Sequence, residues 1–319
     1  MKHVEWGWLI VNYLFLGGLS AGIFFVSALA TYLQEKDEFI HSRIAKYGAM
    51  MAPWPVALGS LLLIFDLGNW YRFYKLFTHL RWESPMSIGS WLLLFFTAVT
   101  LLYFYAWFPS DRREMLFARL PRKLAFLKKL NRDLSAWRRW LAMIGFPVSI
   151  AVGIYTGVLL GAVQSRPFWN TNLVAQMFLF SALSTGCATL IFALSWNRKN
   201  LDPRQARFLY TLDICFITLE FFIVLPYIIH GELSVRAVQD SLGLILGGPY
   251  TLVFWVFFMG LGLLLPLAIE VWEMAPVLLS KASLHHNKPL AAFAALLVLM
   301  GGYLLRYIFV YAGQLSSFR

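Results

Sequence analysis

Few residues in this sequence could do acid–base chemistry in apolar surroundings. Asp66, Asp213, Glu220, Glu270 and Arg306 stand within or at the ends of long hydrophobic stretches. An ionisable side chain there is costly to bury and usually has a task or a partner. Asn12, Tyr13 and Tyr155 add hydrogen-bonding groups near the ends of other apolar stretches. Asp66 also opens the segment D-L-G-N-W-Y-R-F-Y-K-L-F-T-H-L-R-W-E-S-P. In it Trp70, Tyr71, Phe73, Tyr74 and Trp82 are interleaved with Arg72, Lys75, His79 and Arg81. Aromatic rings with basic side chains between two apolar runs belong at a membrane–water boundary. An apolar slot, hydrogen-bonding groups for carbonyl oxygens and a nearby proton carrier are what a quinone needs. The stretch from Phe65 to Trp91 therefore reads as the rim of a quinone-handling site. Tyr and Asn donors at the outer ends, among them Asn12, Tyr13 and Tyr155, with Asp66 as a proton acceptor, would supply these groups, and Arg72 lies in the belt.

The deeper charges admit two readings. Asp213 and Glu220 are seven residues apart and share a helix face. Glu220 and Arg306 form either a structural ion pair or part of a proton route running from Asp213 through Glu220 toward Asp66 and Arg306. Glu270, near the end of an apolar run, reads as an interfacial charge. The six histidines, His3, His41, His79, His230, His285 and His286, lie in links or at span ends. A haem held by two facing histidines is therefore not expected. The two cysteines, Cys187 and Cys215, sit in apolar runs without C-x-x-C spacing. They read as small core residues, so no iron–sulfur cluster or metal site is expected in this chain.

The elements that must position these residues follow from composition. The chain is 60% hydrophobic and 13% charged, far from the balance of a soluble domain. Eight segments can cross a bilayer as helices: 7–33, 48–67, 86–109, 140–163, 173–196, 208–230, 249–272 and 289–313. The ten-residue alternation of a barrel strand is absent. The net charge of +11 does not point to nucleic acid, because the basic residues sit in links between spans. Of the 27 Lys and Arg, 19 fall in the links 34–47, 110–139, 197–207 and 273–288. Seven fall at the termini and in the other links, and Arg306 lies within the last span. The basic side is expected to be cytoplasmic. Both termini and the Phe65–Trp91 rim then face the periplasm, with the first span a retained helix in a bacterial inner membrane. The link 110–139 alternates apolar and basic residues and is expected to lie on the anionic lipid surface.

One internal repeat stands out. Leu14-Phe15-Leu16-Gly17-Gly18-Leu19-Ser20-Ala21-Gly22 returns as Phe178-Leu179-Phe180-Ser181-Ala182-Leu183-Ser184-Thr185-Gly186, four spans later. The same offset carries Trp91 to Trp255 and Asp66 to His230. A parallel repeat of this kind predicts two four-helix bundles about an axis near the membrane normal.

With these motifs in view, the chain resembles the NrfD/polysulfide-reductase (PsrC) membrane subunits. The matching elements are L-x-x-L-S-A-G at Leu16–Gly22, D-L-G-x-x-x-R at Asp66–Arg72 and S-P-M-S-x-G-x-W at Ser84–Trp91. Further on come G-x-Y-T-G-x-L-L at Gly153–Leu160, S-R-P-F-W-N at Ser165–Asn170, F-S-A-L-S-T-G at Phe180–Gly186 and R-Y-I-F-V-Y-A-G-Q at Arg306–Gln314. The resemblance implies a single membrane domain over 1–319, eight helices in two four-helix bundles and periplasmic termini. It also implies a haem-free subunit that binds menaquinone or ubiquinone near the periplasmic face. A ferredoxin-like [4Fe–4S] subunit would dock there, with a molybdopterin oxidoreductase or multihaem cytochrome as the catalytic subunit. By the resemblance Tyr155 bonds one quinone carbonyl. Tyr13, beside Asn12, stands where the polysulfide-reductase type has a histidine for the other. Asp66 matches the acid ending the second helix, and Glu220 and Arg306 match buried charged positions. The expected function is exchange of electrons between the quinone pool and the iron–sulfur partner, in the direction of quinol oxidation. A proton-coupled transporter and a passive anchor are the competing readings.

Overall fold

The structure, a computed structural model, describes residues 6–33, 38–66, 83–110, 133–196, 202–280 and 287–316. Arg72, the rest of the aromatic belt up to Trp82, and residues 111–132 lie outside them. Every regular element among the described residues is helical. In sequence order they are α1 (Trp8–Leu33), α2 (Glu38–Met51), α3 (Pro53–Asp66), α4 (Pro85–Trp107) and α5 (Arg138–Gly161). There follow α6 (Leu173–Trp196), α7 (Pro203–Glu232), the short α8 (Arg236–Leu246), a π-helix (Val253–Leu264), α9 (Leu265–Ser280) and α10 (Lys288–Leu315). Eight helical stretches, counting α2 with α3 and the π-helix with α9 as one each, are long and apolar enough to cross a membrane. The protein is a multi-pass integral membrane protein.

Local chemistry sets several of the ends. Asp202 accepts a hydrogen bond from the Arg204 amide at 2.9 Å, and Pro203 opens α7 where its missing N–H costs nothing. Ser84 and Pro85 start α4 in the same way. The second span is two helices because Pro53 cannot continue the ladder of α2. The seventh span widens into i→i+5 bonding over 12 residues, a geometry usually limited to a single turn. Neither feature disturbs the apolar pattern, so neither was expected. The stretch 231–248, read as a link, contains the amphipathic helix α8.

Helix α1 is central. It packs against α2, α3, α5, α6 and, more lightly, α10. Helix α6 packs in turn against α5, α7 and α10, while α4 lies on α5 and the π-helix on α10. Helices α1 and α6 carry the two copies of the repeat, and they cross at equivalent positions. A Cβ on Gly22 would overlap the Ala182 carbonyl, and one on Gly186 would overlap the Gly22 backbone. Two backbones in contact gain dispersion over their whole crossing, which is what holds helices together in lipid. The repeat serines act alike as well. Ser20 Oγ donates to the Ala52 carbonyl of the second span, and Ser184 Oγ donates to Asp213 Oδ1 of the sixth.

Because no rotamer can relieve a clash with backbone, Gly22→Ala should destabilise by about 3 kcal/mol. Gly243→Ala, with nothing within 4 Å of the added atom, should leave stability unchanged. Thermal unfolding of both variants in mild detergent reads the difference.

Candidate functional site

Tyr155 lies on α5 less than two turns before its end at Gly161. Its ring rests on α4 at Gly89, where any Cβ would overlap the ring and the hydroxyl. The S-P-M-S-x-G element thus has a geometric meaning. Ser84 and Pro85 begin the helix, and one turn later Gly89 leaves the space that the phenol fills. From the other side comes Tyr13 of α1, 1% exposed against 7% for Tyr155. The two phenols interact, yet the Tyr13 hydroxyl has no well-formed hydrogen bond. A buried phenol hydroxyl without a full partner is costly.

The other expected carbonyl and proton partners are placed differently. Asn12, half-buried, turns its amide back to donate to the Trp8 carbonyl at 2.7 Å. Neighbouring residues on a helix point about 100° apart, so Asn12 and Tyr13 do not share a face. Asp66 is the last residue of α3, half-buried, and makes no hydrogen bond or ion pair among the described residues. Arg72 is outside those residues.

A second polar group fills the core between α6, α7, α9 and α10. Arg306 is fully buried. It donates to Ser181 Oγ, to the Gly302 carbonyl at 2.8 Å and to the Phe178 carbonyl at 3.1 Å. Its charged carbon lies 5.0 Å from the Phe178 ring centroid. Ser181 also reaches the Glu220 carboxyl, which is drawn toward the guanidinium. Ser181 therefore stands near both charges. Farther along, Ser184 donates to Asp213 at 2.8 Å, and the Glu270 carboxyl stands beside Asp213 with neither of its oxygens hydrogen-bonded among the described residues. Glu273 follows, touched by Tyr210 and by the Asn287 amide at 3.2 Å.

The structure thus brings together Tyr13 with Tyr155, and Glu220 with Arg306. Among the described residues, Asp66 and Asn12 make no hydrogen bond to either group. Glu270 is 1% exposed and lies within α9, which continues to Ser280, so it is a carboxyl buried inside the protein and not a solvated charge. Sequence reasoning passed over Gly89, Ser181, Ser184 and Glu273. The two serines lie inside the repeat and Glu273 is one turn from Glu270, so a signal was present for these three, whereas the role of Gly89 shows only in the contact between two helices.

The sequence as a whole matches a known family. A family model described as "Polysulphide reductase, NrfD" matches residues 1–317. The chain belongs to this family. It is 31% identical to "Protein NrfD" of Escherichia coli, over 99% of this chain and 96% of that one. It is 30% identical to the C subunit of the polysulfide reductase of Wolinella succinogenes, over 98% of this chain and 95% of that one. A more distant relative is the "Hdr-like menaquinol oxidoreductase integral membrane subunit" of Archaeoglobus fulgidus, 26% identical over 81% of this chain and 60% of that one.

Removing one member of a buried charge group strands the other. Arg306→Gln should therefore lower stability by about 3–5 kcal/mol. Adding Glu220→Gln to it should restore part of the loss. Thermal unfolding of the two variants measures this, and a double variant no better than the single would separate the charges energetically.

Proposed function

We propose that this chain is the quinone-binding membrane anchor subunit of a respiratory oxidoreductase complex. It exchanges electrons between menaquinol or ubiquinol and a ferredoxin-like [4Fe–4S] subunit, with quinol oxidation the working direction. The observation that carries this reading is the phenol pair, Tyr155 over Gly89 with Tyr13 behind it, near the outer ends of α4 and α5. Its neutral hydroxyls in apolar surroundings fit a neutral ring with carbonyl oxygens. The names of relatives support it. One is a polysulfide reductase subunit and another a menaquinol oxidoreductase membrane subunit. The outer face is taken as periplasmic from the Lys and Arg distribution, in a bacterial inner membrane. The catalytic partner would be a molybdopterin oxidoreductase or a multihaem cytochrome.

A bound quinol supplies two electrons and two protons. Tyr155 holds one ring oxygen by its hydroxyl and fixes the ring's orientation. Tyr13 backs the Tyr155 phenol and keeps water from the buried side. Asp66, half-buried at the end of α3 with no competing partner among the described residues, receives one of the two protons and releases it outward, the second passes to water at the outer face, and the two electrons leave singly to the iron–sulfur partner. Arg72 would hold the rim. A second reading, a proton-coupled transporter, is favoured by one observation, the buried series Arg306, Ser181, Glu220, Ser184, Asp213 and Glu270. A transporter works alone, whereas the redox subunit is inert without its cluster-bearing partner.

Tyr155→Phe should lower quinol oxidation by the assembled complex by about tenfold or more, the scale of lost acid–base assistance. Gly89→Ala should act in the same direction by displacing the ring, and in the Tyr155→Phe background its further effect should be small. Both are read by quinol-dependent turnover with assembly checked by size exclusion. Normal turnover in Tyr155→Phe would remove the phenol from the mechanism.

A further inference from the structure

At the end of the molecule opposite Tyr155, the second, third and fourth spans enclose a cleft of about 540 Å³. Arg43 and Lys46 of α2, Trp107 and Phe108 at the end of α4, and Asp133 and Arg138 before and at the start of α5 line it. This is the face on which Lys and Arg concentrate.

Arg138 is held in place. Its guanidinium lies over the Trp107 ring, 4.4 Å from the centroid, and Nε donates to the Ala106 carbonyl at 2.9 Å. Those contacts use the plane and one edge. The two terminal nitrogens make no hydrogen bond among the described residues. Asp133, the acid in the cleft, is occupied by the Ser135 amide at 3.0 Å and hydroxyl at 2.9 Å. Lys46 is exposed at the rim, and Arg43 lies over Tyr47 at 5.9 Å. A fixed, planar fork with two further cations and one engaged acid suits a phosphate group.

Phosphate could arrive free or on a lipid. The surroundings favour the lipid. From Phe108 an aromatic row descends the helix surface, with Phe104 at 5.5 Å and then Trp54, 66% exposed, at 6.2 Å. Leu101, also exposed, continues it. Trp137 and Trp140, each 58% exposed, stand at the same level as the cleft, where indoles mark the bilayer boundary. A soluble anion would gain nothing from this apolar extension, whereas acyl chains would cover it.

We propose that this cleft binds the headgroup of an anionic phospholipid. The phosphodiester sits on Arg138 with Lys46 and Arg43, and the acyl chains run along Phe104 and Trp54. The purified full-length protein, washed free of lipid in mild detergent, is titrated with short-chain phosphatidylglycerol, the matching phosphatidylcholine and inorganic phosphate while Tm is followed. Phosphatidylglycerol should raise Tm at concentrations where phosphatidylcholine and phosphate do not. Each surface cation contributes about fivefold to the binding of an anionic lipid. Arg43→Gln with Lys46→Gln should therefore weaken phosphatidylglycerol by about 25-fold on that scale and leave the phosphatidylcholine response unchanged. Arg138→Gln should abolish the preference. If that variant does not fold, the α2 pair decides alone. Equal responses to the two lipids would overturn the proposal, as would a shift by phosphate alone or an unchanged preference in the α2 double variant.

Discussion

The backbone contact between Gly22 and Gly186 is the constraint on which the rest of the molecule hangs. In lipid there is no hydrophobic force to draw one apolar helix onto another, so association rests on close packing and on polar groups that find each other. Small residues at this crossing let α1 and α6 touch along their main chains. Everything else is placed relative to that pair. On α1, Tyr13 lies nine residues before the crossing and meets Tyr155. On α6, Ser181 and Ser184 lie five and two residues before it and receive Arg306 and reach Asp213. Gly18 joins the two sides, since a Cβ there would sit 3.2 Å from an Arg306 terminal nitrogen and 3.3 Å from Ala182. The buried guanidinium thus depends on two bare helix surfaces, Gly18 and Gly302, for its room.

Much of this was legible in the sequence, for physical reasons that also explain what was missed. Spans announce themselves because a bilayer demands about 20 apolar residues in a row. The repeat was visible because close crossings need small residues at fixed spacing. The break before Pro53, the π-helical turn and α8 left no mark on hydropathy, which records burial and not hydrogen-bond register. Composition alone leaves Asn12 and Tyr13 interchangeable, but the helix turns them apart and only the tyrosine faces Tyr155. Family likeness supplied Tyr155 as a candidate. That Gly89 exists to seat its ring is a contact between two helices, and no single position in the sequence reveals it.

The two copies of the repeat have come to hold different chemistry. In the first, Ser20 bonds a backbone carbonyl, and the neighbouring core is built from neutral hydroxyls, with Tyr103 between Ser27 and Thr31. In the second, the equivalent serine bonds a carboxyl group, and three more ionisable groups follow within the same core. Buried charge is expensive and well-packed apolar side chains would serve stability as well or better. Among the described residues the buried charged groups gather around the second copy, and neutral hydroxyls surround the first. Helix α1 borders both, because Tyr13 and Gly18 are five residues apart, about 7.5 Å along one helix.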